Sequence, residues 1–179
     1  MNPTYFPPVL NWILPAPAFR ESLHEMAQDG VKGNEGCVLW FGRRHGSVAT
    51  ITHLVALRGS GLIKRPDFLR IETWLFNEVA DLAIKLGLKL VGQIHTHGRG
   101  YGIDLSRADR SGGVAVPHYL SVVAPDYALR PNTRISDCGV HVFEPGYGYR
   151  RIPAHQVRTR VDMPPGPKAA WTIVGGDAQ

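Results

Sequence analysis

Apolar positions change period several times along the chain, and each change marks a different element. Phe19, Leu23, Met26 and Ala27 recur at helical spacing and predict a first helix over residues 17–28, stopped by Gly30. Residues 37–41 are then continuously apolar. A turn at His45-Gly46 separates them from a second apolar run over 48–57, and the two runs predict a hairpin of strands. Gly59-Ser60-Gly61 marks a loop. Pro66 opens a long predicted helix in which Phe68, Ile71, Leu75, Val79, Leu82 and Leu86 form one stripe, and Gly87 ends it. Residues 88–95 read as a buried strand, followed by a glycine-bearing loop over 96–105 and a brief helical turn from Ser106. Further strands are predicted over 119–124 and 139–143, with a polar loop over 125–137 between them.

This order of helix, strands, helix and strands predicts an α/β fold, a mixed sheet flanked by helices. The predicted division is an N-terminal arm at 1–16, one domain at 17–152, and a loosely held tail at 153–179, rich in proline, glycine and charge.

Composition adds class boundaries. The chain has 179 residues and is 44% hydrophobic, enough for a core without covalent staples. Its two cysteines, Cys37 and Cys138, form no disulfide framework and read as buried core thiols in a reducing compartment. The apolar stretch from Val9 to Leu14 lacks a basic leader and is bracketed by prolines, which predicts an ordered arm and not a signal peptide. No apolar run is long enough to span a bilayer, so a cytoplasmic location is expected. The net charge of +5 is fed by Arg150, Arg151, Arg158, Arg160 and Lys168. Without interleaved aromatics this reads as a solvated surface and argues against nucleic acid as a partner.

The chemistry concentrates in one stretch. His95 and His97, at i and i+2 on an extended segment, present both imidazoles on one face. Asp109, in the turn opened by Ser106, supplies a third ligand and so the count a catalytic zinc keeps. Asp104 competes for that place, but Asp109 is preferred because the Ser106 turn would fix it. A hydrolytic site also needs a base, and Glu35 stands at the start of a strand that can lie beside the His95 strand. Glu72 and Glu78 fall on the long predicted helix as a solvated face. His24, His45, His53, His118, His141 and His155 lack ligand spacing and read as structural.

Glu35, His95-Thr96-His97 and Ser106-Arg107-Ala108-Asp109 together resemble the signature of the JAMM (MPN+, JAB-type) metalloproteases. The resemblance covers most of the chain, roughly residues 17–143. Two departures mark a divergent, bacterial-type member. Gly98 stands where the family has proline, and the loop from Gly98 to Leu105 is one residue longer than the family pattern. The resemblance implies a JAB/MPN-type mixed β-sheet flanked by helices, a cytidine-deaminase-like sandwich. It implies one Zn2+ per chain on His95, His97 and Asp109, with Glu35 as general base and Ser106 as donor to the oxyanion. The implied activity is a peptidase or isopeptidase cleaving after the C-terminal tail of a ubiquitin-like protein. The implied partners are that protein or its conjugates, with activating and conjugating enzymes of a bacterial conjugation or antiphage system. The regions 59–66 and 125–137 would contact the substrate. The alternatives are an inactive binding module of the same fold and a zinc hydrolase of another substrate. A deaminase is disfavoured because the chain lacks the Pro-Cys-x-x-Cys pair.

Overall fold

The computed structural model describes residues 7–176. Its elements in chain order begin with β1 (Asn11–Ile13), α1 (Ala16–Gly30), β2 (Cys37–His45) and β3 (Val48–Leu57). A small hairpin follows, β4 (Leu62–Arg65) and β5 (Phe68–Ile71), then α2 (Thr73–Leu86), β6 (Lys89–Thr96) and α3 (Arg107–Gly112). The chain continues through β7 (Leu120–Ala124), β8 (Gly139–Glu144), β9 (Gly148–Arg151), α4 (Ala154–Arg160), β10 (Val161–Asp162) and β11 (Ala170–Val174). The main sheet runs β10-β1-β3-β2-β6-β7-β8-β9, and β11 adds beside β3. It is mixed: β2 is antiparallel to β3 and β6, whereas β6 and β7 are parallel. The molecule is therefore a mixed α/β protein with helices packed on its sheet.

The uninterrupted apolar run of β2 follows from cover on both faces. Val38 and Trp40 join Phe19 and Met26 of α1 in one buried cluster. Cys37, Leu39 and Phe41 join Leu75 and Val79 of α2 in another. Each large side chain buried in this way contributes about 1.5–3 kcal/mol. The one polar atom of Trp40 is matched, since its indole N–H donates to Ser22 Oγ at 3.0 Å. α2 ends as its sequence predicts, on Gly87 in the left-handed conformation (φ 61°).

Two expectations are corrected. The long helix begins at Thr73, not at Pro66. Pro66 and Asp67 instead form the two-residue turn of a hairpin in which Arg65 pairs with Phe68. Phe68 and Ile71 continue the three-and-four spacing of α2 while lying on a strand.

The expected loose tail is built into the fold. β10 pairs in parallel with β1, and β11 pairs in parallel with β3 over His53–Leu57. Val157, Val161 and Val174 are buried. The expected arm likewise supplies β1, which lies between β10 and β3. Residues 1–6 of the arm and 177–179 of the tail lie outside the described residues. Among the described residues no helix is long and apolar enough to cross a membrane.

Candidate metal centre

His95 stands near the end of β6, where β2 and β7 flank it. The β2–β6 register pairs Cys37 with His95. One residue further, Thr96 N–H donates to Gly36 O at 3.0 Å, and Thr96 Oγ1 accepts from Gly36 N–H at 2.9 Å. Continued back through Gly36, the same antiparallel path carries Glu35 toward His97. Glu35 is itself held from behind, its N–H donating to Arg65 O at 3.0 Å. The backbone of His97 is fixed on both sides: its N–H donates to Ala124 O at 3.0 Å, and its carbonyl accepts from Tyr127 N–H at 2.8 Å. The two imidazoles therefore stand side by side, with ring centroids 5.2 Å apart.

Asp109 reaches this pair from α3. Ser106 caps that helix: its Oγ accepts from Asp109 N–H at 3.1 Å, while Ser106 N–H donates to Asp109 Oδ2 at 2.7 Å. This reciprocal capping box satisfies two donors that the helix end would otherwise leave free. It also fixes the carboxylate, with Oδ1 3.6 Å from His95 Nε2 and Oδ2 3.3 Å from His97 Nε2. Burial pushes the Asp109 carboxyl up, but the two histidines beside it and its bond from Ser106 prevail and hold it far below the usual carboxylate range. Burial works against a charged His97, yet its bonds to Asp109 and to the Gly102 carbonyl hold its pKa above the ordinary value. Glu35 behaves oppositely to Asp109. Burial raises its carboxyl to about 7; the His97 charge opposes that rise, and Asp109 and Asp67 add to it.

One donor atom from each of His95, His97 and Asp109 lies within 4.8 Å of the others, so the group could hold a metal ion. Two details fit that use. His95 Nε2 is buried and has no hydrogen-bond partner. His97 Nδ1 lies 2.7 Å from Gly102 O, so this nitrogen carries a proton, and Nε2, 3.3 Å from Asp109 Oδ2, is the nitrogen that would turn its lone pair to an ion. Two neutral imidazoles and one carboxylate form an N/N/O set that suits a borderline divalent ion.

Asp104 is not part of the group. Its Oδ1 accepts from Arg151 at 2.8 Å and lies 3.4 Å from His141 Nε2, which ties the loop after His97 to β8 and β9. His141, read from the sequence as simply structural, thus anchors the loop that carries Gly102. Ser106 sits beside the His-His-Asp group as the helix cap. Glu78 is exposed on α2, and Glu72 lies just before that helix, paired with Arg70. Cys37 and Cys138 are buried and unpaired, their thiols pushed up to about 12 by desolvation.

Sequence reasoning missed Tyr127. Its hydroxyl donates to Pro66 O at 2.8 Å, joining the β4–β5 hairpin to the histidine loop. Its backbone lies in a run of three left-handed residues, Asp126, Tyr127 and Ala128, each costing about 1–2 kcal/mol. Gly98 lies against the same ring, where a Cβ would stand 2.5 Å from the Tyr127 hydroxyl oxygen. The available signal was Gly98 in place of a bulkier residue.

A cleft of about 670 Å³ opens beside the group. Phe68, Ile71 and Phe76 line one side, Leu105 and Val114 belong to the α3 segment, and His95 and Asp109 also border it.

The fold and the site define a mixed α/β protein with a His-His-Asp group able to hold a metal ion. Neither family models nor curated proteins match the chain. The solution structure of protein DSY2949 from Desulfitobacterium hafniense is similar, with a TM-score of 0.60 and 16% identity. The match covers 92% of this chain and 94% of that one. At this identity the likeness concerns the fold alone.

Proposed function

We propose that this protein is a zinc-dependent peptidase or isopeptidase of JAMM type that cleaves after the C-terminal tail of a ubiquitin-like protein. The reading rests on one observation: a buried carboxyl, Glu35, lies just before β2, whose first residue Cys37 pairs with His95 of the His-His-Asp group. His95, His97 and Asp109 would hold the ion, three protein ligands that leave a position open. Bound zinc supplies a Lewis acid that polarises the scissile carbonyl and lowers the pKa of water to about 7.

The chain's own groups do the rest. With its carboxyl near 7, Glu35 takes a proton from the attacking water and returns it to the leaving amine. Ser106 Oγ accepts from Asp109 N–H, so its own proton stays free to donate to the developing oxyanion. A donor placed there contributes about 3 kcal/mol. The substrate tail has an edge to join. Among the described residues β5 pairs only with β4, and its residues line the cleft. An extended tail added along β5 gains backbone hydrogen bonds and arrives beside Asp109. The loops 59–66 and 125–137 meet at the Tyr127–Pro66 bond, which supports their shared role in holding the substrate. A cytoplasmic conjugation system with its own activating and conjugating enzymes is the setting this chemistry fits.

The test uses Glu35→Ala with a panel of ubiquitin-like proteins fused to a C-terminal reporter. The expected result is retained zinc and lost cleavage. Wild-type turnover in the variant would remove Glu35 from the mechanism. Tight partner binding without turnover by the wild type would favour an inactive binding module.

A further inference from the structure

Building on the metal reading above, we infer that Gln93 is a positioning residue that sets which nitrogen of His95 carries the proton. Gln93 and His95 are two apart on β6 and share a face, both bordering the cleft. Gln93 Nε2 lies 3.4 Å from His95 Nδ1, and Gln93 Oε1 accepts from the Tyr119 hydroxyl at 3.1 Å. In this arrangement the amide donates to Nδ1, so the His95 proton sits on Nε2. That buried N–H has no acceptor and faces Asp109 Oδ1 at 3.6 Å. A ligating His95 needs the reverse, with the proton on Nδ1 and a lone pair on Nε2.

Turning the Gln93 amide through a half-turn provides this. Oε1 then accepts from His95 Nδ1–H, and Nε2 donates to the Tyr119 oxygen. Tyr119 is fully buried and its phenol is held neutral, so it serves as donor in one arrangement and acceptor in the other. The His97 side has no such freedom, because a backbone carbonyl cannot exchange acceptor for donor. One ligand is therefore preset, and the other is set by an amide held from behind by Tyr119.

The experiment compares wild type, Gln93→Leu, Gln93→Glu and Tyr119→Phe. Zinc affinity is read by competition with a chromophoric chelator, and the His95 tautomer by nitrogen-15 NMR with and without zinc. Gln93→Leu is expected to weaken zinc 10- to 100-fold, the usual effect of losing such a partner. Gln93→Glu, which keeps an acceptor, is expected to stay within a few-fold of wild type. Wild type is expected to move its His95 proton from Nε2 to Nδ1 on loading. Tyr119→Phe is expected to leave a mixture of tautomers in the zinc-free protein, a readout that survives if Gln93→Leu fails to fold. A Gln93→Leu affinity within twofold of wild type, or a His95 tautomer indifferent to Tyr119→Phe, would overturn the inference. Wild type that binds no zinc at all would instead fail the functional reading beneath it.

Discussion

Replacing Asp109 by alanine, with Asp104→Ala beside it, separates the two candidate carboxylates by thermal stability alone. In the metal-free protein Asp109→Ala removes the acceptor of the 2.7 Å bond from Ser106 N–H, half of the α3 capping box. A lost cap of this kind costs about 1 kcal/mol. In a chain of this size that lowers Tm by about 2–4 °C. Asp104→Ala removes an ion pair whose carboxylate side chain is 61% exposed, and the change in Tm is expected to be smaller. Zinc then separates the variants. At one hundred times its Kd, an ion that binds only the folded chain adds about 2.7 kcal/mol, a rise of about 5–11 °C. A hundredfold loss of affinity in Asp109→Ala shrinks that gain to about 0.4 kcal/mol at the same zinc concentration. The assay is a melting curve at fixed zinc, with chelator-treated protein as reference. The expected result is a near-complete loss of the zinc-induced rise in Asp109→Ala and a full rise in Asp104→Ala. The opposite pattern would refute the assignment of Asp109.

Two further expectations follow. Burial raises the Glu35 carboxyl from 4.5 to about 7, so the folded metal-free protein holds a proton there that the unfolded chain releases. Stability should therefore fall as pH rises from about 4.5 to about 7, a penalty of about 3 kcal/mol by linkage. Glu35→Gln should melt higher than wild type above pH 7, with the gap closing below pH 4.5; an unchanged gap across that range in chelator-treated protein would contradict this. Separately, a Cβ at Gly139 would collide with the Ile103 carbonyl in the loop that carries Gly102 and Asp104. Gly139→Ala should lower stability by about 1–3 kcal/mol and weaken zinc as well, and a melt and zinc titration like wild type would contradict it.

The parts of this fold that sequence reveals are those with local causes. The β2–β3 hairpin was visible because residues buried on both faces leave an unbroken apolar run. The end of α2 was visible because Gly87 adopts a left-handed conformation that favours glycine. The start of α2 was not, since Phe68 and Ile71 prolong its spacing by coincidence while pairing as a strand. β11 was hidden because much of it is exposed and its partner β3 lies over a hundred residues earlier, so no apolar alternation marks it. The same division holds at the site. His95, His97 and Asp109 are close in sequence and were legible together. The preference for Asp109 over Asp104 gains its physical basis from Arg151 and His141, which hold Asp104 away from the group. The approach of Glu35 to the group depends on the β2–β6 register, and the part played by Tyr127 depends on a bond to the distant Pro66. Neither leaves a periodic trace in the chain.

The most direct measurement is the metal content of freshly purified protein by elemental analysis, for wild type, His95→Ala and His97→Ala. The prediction is one zinc per wild-type chain, with little retained by either variant while both remain folded. Wild-type protein free of zinc, or variants that keep it in full, would contradict a metal centre built from His95, His97 and Asp109.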